Sequence, residues 1–535
     1  MIGVAGLASV MCLSLCFLAQ TPRSRLNVIQ IVSSLFFLVV IVRYARADRS
    51  TQPERPGAWG MRYELLLTPA ICAAVYATAL SFYFVSDDYA HLFTARRPLL
   101  ETLWRLLTQG QDGLFLRPLG FASLFFDYHL WHHWQPAYHL VNLSLHFAGV
   151  AGIYFLCKNL GLDLEISATA SLIFSILPIH PESVVWIAAR FDMLATPLTI
   201  WALVLYIKFR KTGRIGYYLS ALALFSLALL SKESAYALPL LLIPLELFAL
   251  PDRRIKPALG FIALTTIVFC YRWAVLGGIG GYQDASGQAA ALRIGLGTFE
   301  GLFVRAPAQL LLGYNWLQPQ AAVPIILASL TAALLLMLAF AVKAKTSNQG
   351  GQRMVWFSLS WIALASLPVH FMLQVDSGLT NSRVLYLSSA GAAIFIALLL
   401  GGIDHSGIRQ GSKLSLVLLL SLGLFHNLRA WQWTSEHTHR FLMELKRLEP
   451  SPPPGAEFVF RGMPGTIRGV FFFHTGLTEA INLAFGRQDL IGTRESNSSA
   501  GKKAEANGRP TIKVDWLGGK DGADGTEALI ERAGD

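Results

Sequence analysis

The residues able to do chemistry in this chain are carboxylates and cations placed where apolar runs end. Asp87 and Asp88 follow Phe84-Val85-Ser86 and precede Tyr89. Adjacent carboxylates repel each other, and partial desolvation raises a carboxylate pKa, so either one suits proton abstraction. The plainer alternative is a solvated helix end at a membrane surface. A second group lies in Leu177-Pro178-Ile179-His180-Pro181-Glu182-Ser183-Val184-Val185-Trp186 and continues to Arg190, Asp192 and Leu194. A helix starting near Pro181 would place proline in the first turn and let Glu182 complement the dipole. Glu182, Trp186 and Arg190 would then share one face, with Arg190 about 12 Å further along the axis. A charge at that depth faces a bundle interior or a water-filled cavity, or pairs internally to hold helices together.

A third group comprises Ser231-Lys232-Glu233-Ser234 and Asn381-Ser382-Arg383-Val384-Leu385-Tyr386. Lys232 and Arg383 suit an anion, because a guanidinium fork binds phosphate oxygens bidentately and stays charged. Simple interfacial anchoring is the competing role. Arg117, in Phe115-Leu116-Arg117-Pro118-Leu119, is a further phosphate or sugar contact. His139, Asn142 and His146 form one helical stripe that either lines a cavity or bonds between helices. His129, His132 and His133, near Asp127, are spaced without the specificity of a metal motif. An amphipathic helix gives the same pattern, and no metal site is expected.

The elements that must position these groups follow from composition. Of 535 residues, 54% are hydrophobic and 14% charged, with a mean hydropathy of +0.48. Soluble domains carry about 25% charged residues, so the chain reads as an all-α polytopic membrane protein. Apolar runs long enough to span fall at 2–20, 27–43, 64–85, 138–158, 164–180, 184–207, 215–231, 234–250, 257–276, 322–343, 354–371, 384–402 and 413–430. That predicts about 13 transmembrane helices. The net charge of +11 is not a nucleic-acid signal. Its Lys and Arg concentrate in alternate short loops, such as Lys208 to Arg214, Arg253 to Lys256 and Arg409 with Lys413, which are therefore cytoplasmic. The N-terminus is then inside and the C-terminus outside. All five cysteines (Cys12, Cys16, Cys72, Cys157, Cys270) lie in apolar runs, which argues against a disulfide framework or a cysteine metal site.

Two long segments, 86–137 and 277–320, lie on the outer face. The first carries Leu99, Leu100, Leu103, Trp104, Leu106 and Leu107 at helical spacing, then Phe125, Phe126, Leu130, Trp131 and Trp134. Such stretches predict amphipathic helices lying in the interface. Residues 1–63 read as two extra N-terminal helices with a cytoplasmic linker, 64–435 as the catalytic membrane domain, and 436–490 as a small extracytoplasmic α/β domain. Residues 491–535, rich in Gly, Ser, Lys, Glu and Asp, are expected to be largely disordered, apart from a possible strand near Ile512–Trp516.

Taken in order, these motifs resemble the GT-C superfamily of membrane glycosyltransferases. The closer likeness is to the transmembrane and tetratricopeptide-repeat O-mannosyltransferases, with protein O-mannosyltransferases more distant. It runs from about residue 64 to 435 and rests on Asp87-Asp88, Arg117-Pro118-Leu119, Tyr138 to Leu143 with His146, Pro178 to Leu194, Lys232-Glu233, Arg383 to Leu387, Arg429 and Trp431. The block from Pro178 to Leu194 is the most specific. The tetratricopeptide repeats of those relatives are missing here.

The resemblance implies a polyprenyl-phosphate-linked sugar as donor, mannose as first guess, and transfer with inversion to a hydroxyl of a protein or glycan acceptor on the outer face. It implies Asp87, ahead of Asp88, as general base. It also implies a donor phosphate and sugar site among Arg117, His139, His180, Glu182, Arg190, Asp192, Lys232, Glu233 and Arg383. Residence in a bacterial inner membrane follows from the same resemblance, and no cofactor is implied with certainty. The competing class is a transporter or flippase for a polyprenyl-linked or anionic solute, motivated by the intramembrane charges Arg190 and Glu246. A silent assembly protein is the third reading.

Overall fold

The computed structural model describes residues 68, 70–111, 113–282, 306, 309–310, 313–317, 349–370, 373, 375–495, 509–518 and 528–533. The expected spans 2–20, 27–43 and 322–343, and the whole of 1–63, lie outside the described residues.

The chain is an integral membrane protein built mainly of helices. The helices that matter for the site are α1 (Ala70–Ser81), α2 (Asp87–Ala95), α3 (Leu99–Gln109), α4 (Pro118–Trp131), α5 (Gln135–Asn159), α6 (Leu164–Ser175), α7 (Pro181–Val185), α8 (Arg190–Thr212) and α9 (Ile215–Leu229). They continue as α10 (Leu238–Pro244), α11 (Ala258–Leu276), α12 (Gln349–His370), α13 (Tyr386–Gly401), α14 (Ser406–Leu448) and α15 (Leu477–Phe485). Among the described residues, five helical stretches are long and apolar enough to cross a membrane: Gln135–Asn159, Ile187–Thr212, Ala258–Leu276, Ser382–Gly401 and Ser406–Leu448. Three shorter apolar helices, α1, α6 and α9, stand beside them.

Packing follows the apolar stripes. Helix α8 lies against α5 and α9, while α13 sits between α6 and α12. Close approach of α12 and α13 depends on Gly391, where a Cβ would meet the Trp361 ring at 2.8 Å. The large apolar core holds Phe174, Tyr206, Phe225, Phe261, Trp361 and Tyr386, all fully buried. By contrast α3 exposes Leu100 and Trp104, and α4 with its following turn exposes Phe126, Leu130 and Trp134. That pattern is what an in-plane interfacial helix presents to lipid.

Sequence periodicity predicts one continuous helix through 184–207, and this is corrected. The chain is extended at Trp186 (ψ 120°), so α7 ends there and α8 begins at Arg190. Two side chains satisfy the backbone groups that the break frees. Asn142 donates to the carbonyls of Val184 and Trp186, and Asp88 accepts from the Ala188 N–H. Buried backbone polar groups need such partners. Glu182 and Arg190 therefore do not share a helix face.

Beyond α14 lies a small α/β domain. Its four-stranded sheet has the order β4-β1-β5-β6, from β1 (Glu457–Arg461), β4 (Ile491–Arg494), β5 (Thr511–Trp516) and β6 (Ile530–Arg532). Strand β1 runs parallel to β4 and β5, and β6 is antiparallel. A short hairpin, β2 (Thr466–Ile467) and β3 (Val470–Phe471), precedes α15. Composition predicts disorder after residue 490, yet three strands come from that stretch. In β5 the alternating Ile512, Val514 and Trp516 are buried, and strict alternation over six residues outweighs polar composition. Helix α14 continues to Leu448, so the domain begins later than residue 436.

Candidate functional site

The turn Val85–Asp88 opens the site, with Ser86 strained at φ +47° before α2 begins at Asp87. The two carboxylates part company here. Asp88 is buried, with Oδ2 accepting from the Val85 N–H at 2.9 Å and Oδ1 from the Ala188 N–H at 2.7 Å. Burial pushes its carboxyl well above the ordinary range, while those two N–H donors pull against the shift. Asp88 thus ties the α2 turn to the break between α7 and α8. Asp87 is only half-buried, and it accepts hydrogen bonds from Ser86 Oγ (3.2 Å) and from Thr475 Oγ1.

Cations gather a short way off. Arg117, just ahead of the proline that starts α4, grips Glu233 through Nε at 2.9 Å and Nη2 at 2.6 Å. Arg272 of α11 donates to the same carboxylate at 2.7 Å. Burial favours the neutral form of Glu233, but Arg117 and Arg272 outweigh it and hold the carboxyl at about 2. Lys232 is extended (φ −161°, ψ 154°), which turns it away from Glu233 to pair with Asp192 of α8. Burial lowers its ammonium, opposed by Asp192 and reinforced by Arg117 and Arg383. Arg383 pairs with Glu182, whose other oxygen accepts from Ser382 Oγ (3.0 Å) and the Arg383 N–H (3.1 Å).

Tyr282 sits among these charges, its hydroxyl accepting from Arg383 Nη2 at 3.4 Å. Burial raises its phenol, yet Arg383, Arg117 and Lys232 together hold it below its ordinary value. Four cations (Arg117, Lys232, Arg272, Arg383) thus face three carboxylates (Asp192, Glu182, Glu233), because Glu233 is shared by two arginines. Among the described residues one positive charge stays uncancelled in this buried group, a setting that favours an anion.

Trp186 joins the two halves. Its Nε1–H points to the Val85 carbonyl at 3.4 Å, and the Arg383 guanidinium lies 4.9 Å from its ring. Phe471 of β3 closes the other side, 5.2 Å from Trp186 and 5.7 Å from Arg383.

Of the residues singled out from sequence, Arg117, Lys232, Glu233, Asp192, Glu182 and Arg383 come together. Arg190, His139 and His180 do not join them. Arg190 is fully buried, paired with Asp127 at 2.7 Å and bonded to Asn142, Ser123 and the Tyr138 carbonyl. His139 donates to the Phe82 carbonyl at 3.0 Å. His180 reaches Ser389 Oγ at 2.8 Å among His146, Phe174 and Tyr386, inside the helix bundle. The stripe His139-Asn142-His146 is likewise spent on bonds between elements. Glu246 pairs with Arg210 and accepts from Tyr206 at 2.6 Å. His129 stacks on Phe125, and among the described residues no three His, Cys, Asp or Glu side chains gather as a metal site would require.

Sequence reasoning passed over Tyr282, Arg272 and Thr475. Arg272 carried a signal, since a charge inside the apolar run 257–276 demands a partner. Thr475 carried none.

A protein O-mannosyl-transferase of Caenorhabditis elegans is 28% identical over 177 residues, covering 31% of this chain and 25% of that protein. Protein O-mannosyl-transferase TMTC2 of Mus musculus is 32% identical over 158 residues, covering 28% of this chain and 19% of that protein. The chain resembles the O-mannosyl-transferases. The match spans about a fifth to a quarter of the length of these relatives. No protein-family model matches the chain. Among solved structures, the oligosaccharyltransferase AglB from Archaeoglobus fulgidus, in complex with an inhibitory peptide and a dolichol-phosphate, gives a TM-score of 0.48 at 12% identity, over 86% of this chain and 70% of that one. ArnT from Cupriavidus metallidurans bound to undecaprenyl phosphate gives 0.36 at 10% identity, over 85% and 93%.

Proposed function

We propose that the chain is a GT-C-type glycosyltransferase, moving a sugar, mannose first, from a polyprenyl-phosphate carrier to an acceptor hydroxyl. The observation that carries this reading is the buried cation group of Arg117, Lys232, Arg272 and Arg383, linked through Trp186 to the turn bearing Asp87. An acceptor hydroxyl is a poor nucleophile until a positioned carboxylate takes its proton. Asp87 is that base: its neighbour Asp88 has both oxygens committed to backbone N–H groups.

The acceptor oxygen attacks the anomeric carbon as the bond to the carrier phosphate breaks, through an oxocarbenium-like transition state. The sugar inverts, the proton goes to Asp87, and the departing phosphate gains negative charge. Arg383, Lys232 and Arg117 stabilise that charge where water is scarce, with Tyr282 beside them. The shared resemblance to O-mannosyl-transferases supports mannose and a protein acceptor. The proposed setting is about 13 spans, residues 64–435 as the catalytic domain, the N-terminus cytoplasmic, and the outer domain on the extracytoplasmic face of a bacterial inner membrane.

The test uses the purified full chain in lipid vesicles with decaprenyl-phosphate-mannose, and membranes from a strain lacking the protein as the acceptor source. Mannose transfer that is lost in Asp87→Asn, with unchanged folding, is the expected result. Normal turnover by Asp87→Asn would sink the assigned base. Movement of a solute across the vesicle with no covalent product would overturn the glycosyltransferase in favour of a transporter.

A further inference from the structure

The segment between β3 and α15 reaches out of the outer domain and lies against the α2 turn. Thr475 Oγ1 donates to the Asp87 carboxylate, and the Thr475 N–H and carbonyl both approach Ser86 Oγ at 3.4 Å. Gly476 follows at φ +77°, where a Cβ would lie 2.5 Å from the Ser86 carbonyl, so only glycine permits this approach. Nearby, Thr380 Oγ1 donates to the Gly469 carbonyl at 2.7 Å and Asn315 Nδ2 to the Arg468 carbonyl at 2.7 Å. The segment is thus held against the α2 turn through Thr475 and Gly476, while the β2–β3 turn before it is held by Thr380 and Asn315, and Thr475 is an outer-domain side chain that bonds the half-buried carboxylate.

A carboxylate on a strained turn has torsional freedom about its own side chain, and the hydrogen bonds that one Asp87 oxygen accepts from Ser86 Oγ and Thr475 Oγ1 fix which oxygen faces the open side. We propose that Thr475 is a positioning residue for Asp87, so that the outer domain completes the reaction centre through its hydroxyl. This rests on Asp87 acting as the base. Thr475 holds one carboxylate oxygen; the other is left to accept the proton of the acceptor hydroxyl. The outer domain is therefore part of the machinery for the chemical step. The cations proposed to hold the lipid phosphate, Arg117, Lys232 and Arg383, come from the membrane domain, and Thr475 bonds none of them; the outer domain meets that group through Phe471, 5.7 Å from Arg383.

The experiment compares Thr475→Val, Thr475→Ser and Thr493→Val in the full chain, reading release of mannose from decaprenyl-phosphate-mannose with water as acceptor. Thr493 lies in the same domain and donates to Glu457 at 2.7 Å, so its valine variant reports on general damage to the domain. Misplacing a catalytic group by about 1 Å costs on the order of 100-fold. Thr475→Val is accordingly expected to lower kcat by about 10- to 100-fold with KM for the donor unchanged. Thr475→Ser is expected to restore most of the rate, and Thr493→Val to leave it intact. Wild-type kcat in Thr475→Val, with Asp87→Asn inactive, would overturn this inference and leave the base standing. Full turnover by Asp87→Asn would instead overturn the base itself. Equal loss in Thr475→Val, Thr475→Ser and Thr493→Val would also refute it, since only the integrity of the domain would then matter.

Discussion

Glu233 is the carboxylate on which two buried arginines depend. Arg117 grips it with two bonds, Arg272 adds a third, and all three side chains are buried or nearly so. Its carboxyl is held at about 2 against an ordinary 4.5. At about 1.4 kcal/mol per pKa unit, that difference corresponds to about 3 kcal/mol favouring the charged, folded form. Because the folded value is depressed, this contribution is present above the unfolded value of 4.5 and is lost as pH falls towards 2. Glu233→Gln removes it at every pH and leaves two buried guanidinium groups sharing no carboxylate, which costs about 3–5 kcal/mol. Thermal unfolding of the detergent-solubilised protein, scanned from pH 7 to pH 3, should show wild type well above Glu233→Gln at pH 7 and the gap shrinking at acid pH. A gap independent of pH would refute the electrostatic account. No gap at all would show that the arginines find other partners.

Asp88→Ala strips two backbone N–H groups of their acceptor and should destabilise by about 3 kcal/mol or more, read as a lowered unfolding temperature. Arg190→Met strands Asp127 in the interior and should cost about 3–5 kcal/mol, with Arg190→Met/Asp127→Leu recovering part of it. Arg383→Lys cannot keep the fork geometry and should raise KM for decaprenyl-phosphate-mannose about 10-fold. His180→Phe, inside the bundle and away from the cations, should leave that KM unchanged.

Much of the site was legible because charges are rare in this chain and each one at a helix end stood out. Lys232, Glu233 and Arg383 were found that way. What the sequence could not supply was pairing. Helical periodicity joined Glu182 to Arg190, yet the chain breaks at Trp186 and sends them to Arg383 and Asp127. The break is stabilised by Asn142 and Asp88, residues distant in sequence, so no local pattern announces it. The same applies to Thr475, brought to Asp87 across 388 positions. Polar composition misjudged the region after residue 490, because the strands there gain their stability from β1, to which β4 and β5 both pair.

Helix α14 has a consequence for how the two parts of the molecule stay in step. It runs unbroken for 43 residues from Ser406 to Leu448, about 64 Å at 1.5 Å per residue, roughly twice the ~30 Å hydrocarbon core. Its C-terminal half is therefore a stiff mast carrying the α/β domain. On a mast, azimuth is a matter of residue count. One residue added between Trp433 and Phe441 would turn the domain by about 100° and swing Thr475 away from Asp87, whereas seven would return it to within about 20° while lifting it about 10 Å. Rotational phase and height along this helix are thus coupled, and the bonds of Thr475, Gly469 and Arg468 to the membrane domain are made only at one combination of the two.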